Sequence, residues 1–275
     1  MTRIAPSLVA LLIAALAIAP RARAAAAPAA GAGHVAELDG IRIYYEVHGA
    51  GPALILLHGG AGDGRQFEKQ VPYFQGSYRL IVPDMCAQGR TTDRPGPLTY
   101  HAMAEDVIAL MDHLHVKQAR VMGWSDGGIE GLDLAMHHPD RITHVVAFGA
   151  NYRPDGLAAP DVAWNDTATA AAFGPDMKKA YQAMSPNRDH YEDAMNKVIA
   201  LWKTQPNWTE AELGRIRAKT LIVAGEFDLV RREHTEALAH AIPGAQLWIV
   251  PGANHGVMID RADLVNPKVR DFLAR

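Results

Sequence analysis

The segment Ala119-Arg-Val-Met-Gly123-Trp124-Ser125-Asp126-Gly127-Gly128-Ile129 decides how the rest of the chain is read. Its first five residues form a short, mostly apolar strand signal. Gly123-Trp-Ser-Asp-Gly127 then matches G-x-S-x-G, the pattern of a serine held on a tight strand-to-helix turn. Small residues flank such a serine because the turn brings two backbones together and bulky side chains would clash. A pattern with three fixed positions recurs by chance, so its weight comes from context. Here a strand precedes it and a helical pattern ending before Pro139 follows it, as the turn requires. The start of that helix also adds positive potential where an oxyanion would form.

Working outward, strand-like and helix-like segments alternate, which predicts an α/β fold with a mainly parallel sheet covered by helices. Residues 41–47 alternate with period two. Residues 53–57, 142–148, 218–224 and 246–250 are short apolar runs of the kind buried on both faces. Residues 78–82 form another strand, stopped by Pro83-Asp84. Helices are expected after the Gly-rich turn 58–64 and over 233–241 and 261–273. A further helix over 99–114 has Thr99 as its cap and Met103, Val107, Leu110, Met111 and Leu114 on one face. Residues 151–214 break the rhythm: turn signals separate helix-like pieces at 176–184 and 191–203, with no buried strand. The organisation expected is a core in two parts, 34–150 and 215–275, with a helical cap inserted at 151–214.

A serine hydroxyl needs a base and a group to orient that base. Asp228 follows the 218–224 strand in Ala-Gly-Glu-Phe-Asp, and His255 follows the 246–250 strand in Gly-Ala-Asn-His-Gly. Both would emerge at the carboxyl edge of a parallel sheet, where Ser125 also emerges and where open α/β sheets bind ligands. The chain order serine, acid, histidine is the one this turn motif goes with. Glu226 is a rival acid, two residues nearer the strand. For the oxyanion, one donor would be the N–H of Asp126 and the other that of Gly60, with Ala61 as the alternative. A phosphate cradle at 58–64 is disfavoured because neither G-K-[ST] nor G-x-G-x-x-G is present.

These residues together resemble the α/β-hydrolase superfamily, from about Ile41 to the C-terminus. The motifs that carry the resemblance are His58-Gly59-Gly60, Asp84…Gly89-Arg90-Thr91, Gly123-Trp-Ser-Asp-Gly-Gly128, His138-Pro-Asp-Arg141, Gly225-Glu-Phe-Asp228 and Asn254-His255-Gly256. Gly-Trp-Ser-Asp-Gly-Gly is especially similar to the valacyclovir hydrolase (biphenyl hydrolase-like) branch. The resemblance implies an eight-stranded, mostly parallel sheet, a helical cap after the sixth strand and no cofactor. One departure is Cys86-Ala87-Gln88-Gly89, where many members carry Arg-Gly-His-Gly in a loop that borders the pocket.

The lead function is a serine hydrolase acting on a small-molecule ester or related acyl bond, with Ser125, Asp228 and His255 as catalytic residues. A cofactor-free haloperoxidase or perhydrolase, or a C–C bond hydrolase, could use the same three. A small-molecule-binding protein on a hydrolase fold is the non-enzymatic alternative. Asp126 could bind a cationic substrate group such as an α-amino group, or it could hydrogen-bond the turn backbone. Trp124 and Trp202 join it as candidate substrate-binding residues. Trp164, Tyr181, Met184 and Trp208 are further candidates to line the pocket from the insertion, though helical aromatics also pack as core.

Composition sets the remaining bounds. The 275 residues are 49% hydrophobic and 21% charged, ordinary for a globular protein. Residues 7–19 are an apolar run too short for a membrane span, and Ala22-Arg-Ala24 offers an export cleavage site. A signal peptide over 1–24 and a flexible Ala-rich lead-in over 25–33 are therefore expected, with a secreted or periplasmic location and no stable membrane insertion; a retained anchoring helix is the alternative. The mature chain would carry 24 basic and 30 acidic residues, a charge of −6, and no basic stripe, which argues against nucleic acid as a partner. The single Cys86 excludes an intrachain disulfide. The thirteen histidines show no H-E-x-x-H spacing, and adjacent His137 and His138 would point apart on a helix, so no metal is expected.

Overall fold

The computed structural model describes residues 33–275, so the signal peptide and all but the last residue of the lead-in lie outside the described residues. The strands are β1 (Gly33–Leu38), β2 (Ile41–His48), β3 (Ala53–Leu57), β4 (Arg79–Pro83), β5 (Ala119–Trp124), β6 (Ile142–Phe148), β7 (Lys219–Phe227) and β8 (Gln246–Asn254). They form one sheet in the order β1-β2-β4-β3-β5-β6-β7-β8. β2 is antiparallel to both β1 and β4, and every pairing from β4 onward is parallel. The helices are α1 (Val71–Phe74), α2 (Tyr100–His113), α3 (Asp126–His137), α4 (Ala159–Thr167), α5 (Gly174–Met184), α6 (Tyr191–Thr204), α7 (Glu210–Leu213), α8 (Arg232–Ala241), α9 (Val257–Asp260) and α10 (Ala262–Leu273).

The sheet divides the core because side chains alternate across it. Ile55 and Leu57 of β3, Val121 of β5 and Val145 of β6 pack with α2 and α3 on one face. Leu54, Leu56, Met122, Val146 and Phe148 pack on the other with Val265, Val269 and Phe272 of α10. Burial on both faces is why these strands read as continuous apolar runs. β1 had no such signal: it starts at Gly33, inside the expected lead-in, and Ala36 is its one buried residue. Its pairing with β2 makes it a strand where its own sequence does not. The Thr99 hydroxyl caps α2 by accepting from the Ala102 N–H at 3.0 Å.

Helices α4 to α7 lie between β6 and β7 and form the cap. Its inner helix, α6, buries Tyr191, Ala194, Met195, Val198 and Leu201. At its root, Tyr152 stacks on His234 of α8 with centroids 4.0 Å apart, and the Tyr152 N–H donates to His234 Nε2 at 3.1 Å. Burial lowers the His234 pKa to about 4, which keeps that nitrogen an acceptor near neutral pH. Among the described residues, no helix is long and apolar enough to cross a membrane.

Candidate active site

Ser125, Asp228 and His255 each stand one residue beyond a strand, after β5, β7 and β8 respectively. The strands run parallel through β6, so all three residues emerge at one edge of the sheet. Ser125 has φ 54° and ψ −118°, a conformation that side-chain-bearing residues rarely adopt. Hydrogen bonds hold it there. Its N–H donates to Phe148 O at 2.7 Å, and its carbonyl accepts from Gly128 N at 2.9 Å and Ile129 N at 3.1 Å. The flanking glycines are required by contact: a Cβ on Gly123 would lie 2.0 Å from Gly127 O, and one on Gly127 2.0 Å from Leu57 O.

His255 Nδ1 lies 2.7 Å from Asp228 Oδ1. A carboxylate only accepts, so Nδ1 carries the proton and Nε2 is left as the basic nitrogen. Asp228 is buried and also accepts the N–H groups of Gly225 and Val230, each at 3.2 Å. Glu226 is exposed and bonds Gly252 N instead, so Asp228 is the acid on the imidazole. Trp124 steadies the histidine from below: its Nε1–H donates to His255 O at 2.8 Å, and the two rings lie 5.6 Å apart. Gly149 (φ 57°) supplies room, since a Cβ there would be 2.7 Å from two atoms of the imidazole.

Ser125 and His255 open onto a cavity of about 340 Å³ between the sheet edge and the cap. Gly59, Gly60, Trp124, Asp126, Trp164 and Trp202 also line it, and Ala61 does not. Tyr181, Met184 and Trp208, expected as possible lining, are elsewhere. Tyr181 is buried against Tyr191, the Met184 sulfur meets Arg65, and Trp208 packs on the core. Asp126 opens α3, whose first N–H groups have no acceptor within the helix. Its side chain does not bond the turn backbone. It accepts the Tyr100 hydroxyl at 3.0 Å on Oδ1 and Trp202 Nε1 at 2.9 Å on Oδ2, tying the core to α6 of the cap. Burial raises its pKa, and these two donors oppose that shift.

The departing loop does not border this cavity. Cys86, Ala87 and Gln88 are all buried and none lines it, and burial pushes the Cys86 thiol up to about 11, the behaviour of a packing residue. His58 links the loop to the turn after β3, with Nδ1 2.8 Å from Gly59 O and Nε2 accepting from Met85 N at 2.9 Å. Tyr100 and Gly149 carried no readable signal as site residues. Tyr100 meets Asp126 across 26 positions, and Gly149 shows only as a glycine after a strand.

Residues 52–209 match the alpha/beta hydrolase fold family, and the chain belongs to that family. Among its relatives, the RutD protein of Caulobacter sp. (strain K31) is 31% identical over 265 residues, covering 86% of this chain and 97% of RutD. The serine hydrolase BPHL of Homo sapiens is 30% identical, covering 86% of this chain and 84% of its own. A solved structure described as Est816, an N-acyl homoserine lactone degrading enzyme, superposes with a TM-score of 0.73 at 26% identity, covering 87% of this chain and all of the other. The protein is a hydrolase of this fold.

Proposed function

We propose that the protein is a serine hydrolase that cleaves small-molecule esters through an acyl-enzyme on Ser125. The Ser125 hydroxyl attacks the ester carbonyl while His255 Nε2 takes its proton. The oxyanion that forms is held by the N–H groups of Gly60 and Asp126. His255 then returns the proton to the departing alcohol, and water, activated by the same nitrogen, releases the acid. Asp228 holds the imidazole tautomer and stabilises its charged form. The observation that carries this reading is the 2.7 Å bond from His255 Nδ1 to a buried Asp228, with His255 and a strained Ser125 on one cavity.

The relatives include a C–C bond hydrolase, the 2-hydroxy-6-oxo-6-phenylhexa-2,4-dienoate hydrolase of Burkholderia cepacia, 26% identical over 278 residues. The charge of the cavity favours the ester reading. Asp126 and Asp161 line it, and among its described lining residues there is no lysine or arginine to hold a substrate carboxylate. Neutral or cationic esters, amino-acyl esters among them, suit it better. The reading includes export: the apolar run at 7–19 and the small residues up to Ala24 support removal of the first 24 residues and a secreted or periplasmic enzyme.

The test is labelling by a fluorophosphonate probe and turnover of short-chain nitrophenyl esters, beside Ser125→Ala. Labelling lost in the variant, with turnover reduced to its residual level, is expected. Absence of both in the parent protein would leave a binding protein on a hydrolase fold.

A further inference from the structure

On α2 and α3, outside the cavity lining, three residues converge that no step of ester cleavage uses. His101 lies in the first turn of α2, while Asp133 and His137 sit four apart on one face of α3. Asp133 is buried, and its Oδ1 takes both imidazoles, with His101 Nδ1 at 2.9 Å and His137 Nδ1 at 3.1 Å. The two rings stand 4.5 Å apart, and the ligating atoms of the three residues all fall within 4.8 Å of one another. Both histidines are solvent-accessible, so an ion can enter.

We infer that His101, Asp133 and His137 form a binding site for a divalent transition-metal ion, zinc or nickel, that clamps α2 to α3. Two N–H donors now share one buried carboxylate oxygen, and that of His137 also lies 3.1 Å from the Asp133 backbone carbonyl. A cation in place of those two protons, which pass by way of solvent to the Nε2 nitrogens so that each imidazole stays neutral, would bond all three atoms at once. Tetrahedral ligands about 2.0–2.1 Å from zinc stand about 3.3 Å apart; both imidazoles already stand near that distance from Asp133 Oδ1, and with all three atoms within 4.8 Å of one another, binding requires only that the exposed imidazoles swing together. Two imidazoles and one carboxylate suit zinc or nickel; calcium and magnesium prefer oxygen alone. Metal-bound histidines commonly pass their other N–H to a carboxylate. Glu105 is placed for that, 3.9 Å from His101 Nε2, while it also accepts from His138 Nε2 at 2.6 Å. The remaining coordination position is open to water. This arrangement has a sequence trace, Asp-x-x-x-His at 133–137, but its third ligand lies 32 residues upstream on another helix.

The test is calorimetric titration of untagged, chelator-treated protein with zinc chloride, nickel chloride and magnesium chloride. One zinc per chain is expected, with binding weakened at least about tenfold in His101→Ala and in His137→Ala. His190→Ala, an exposed histidine on the cap, should bind as the parent does, and magnesium should give no saturable heat. Zinc at about one hundred times Kd should raise the parent Tm by about 5 °C and leave the His101→Ala/His137→Ala protein unmoved. Ester turnover by that double variant without metal reports that it is folded. Zinc binding as tight in the double variant as in the parent, or none in the parent below about 1 mM, would overturn the assignment.

Discussion

At the residue scale, the site depends on which atoms face which. His255 can serve as base at Nε2 because a buried carboxylate claims Nδ1. Asp228→Asn should therefore lower kcat about 10⁴-fold in nitrophenyl ester assays, since an amide lets the imidazole take the wrong tautomer. Glu226→Gln should stay within about twofold of the parent, because Glu226 is exposed and bonds only a backbone N–H. Equal losses in the two variants would mean that the acids had been assigned the wrong way round. The strand-end rule that singled out Asp228 in the sequence worked because β7 is parallel to its neighbours. It left Glu226 open because β7 runs three residues beyond its apolar run, to Phe227, with Glu226 exposed inside it.

At the scale of elements, one carboxylate is among the groups that fasten the cap to the core, beside the Lys197–Asp93 ion pair. Trp202 of α6 and Tyr100 of α2 both donate to Asp126 at the start of α3, so three helices meet on one buried group. Trp202→Phe keeps the ring but leaves Asp126 with a single side-chain donor. A loss of about 1–3 kcal/mol in urea unfolding is expected, with a raised KM. In a double-mutant cycle with Asp126→Asn the two losses should fail to add by at least about 0.5 kcal/mol; additivity would show that the contact carries no energy. The insertion was readable in the sequence as helical pieces between turns. Which of its aromatics reach the cavity was not: Trp164 and Trp202 do, while Tyr181, Met184 and Trp208 do not, and helical periodicity marks all of them alike as partly apolar.

At the scale of the molecule, the α2–α3 layer contains a carboxyl group in a place where charge is costly. Glu130 of α3 is fully buried, and neither carboxyl oxygen has a hydrogen-bond partner. Burial, reinforced by nearby Asp126, Asp106 and Asp133, pushes its pKa well above the ordinary carboxyl range. The folded protein thus keeps this proton while the unfolded chain releases it. The stability it contributes is present below the unfolded pKa, about 4.3, and is lost as pH rises through the folded value. Glu130→Gln, neutral at every pH, should raise Tm relative to the parent by about 2–4 °C at pH 8, and the advantage should shrink toward pH 4.5. A pH-independent difference in Tm would mean that Glu130 ionises alike in both states.

The sequence by itself determined the alternation of buried strands and amphipathic helices, the strained turn at Ser125 and the positions of Asp228 and His255 at strand ends. These follow from local chemistry: side-chain period, glycine at close backbone contacts and apolar runs buried on two faces. It determined almost nothing of β1, whose residues are mainly exposed and become a strand through β2. Tertiary structure alone decided that Asp126 binds Tyr100 and Trp202, that the Cys86–Gln88 loop is buried outside the cavity lining, and that His101 meets Asp133 and His137. Each of those contacts joins residues far apart in the chain. Neither hydropathy nor spacing encodes them, because they exist only once the sheet has brought its helices together.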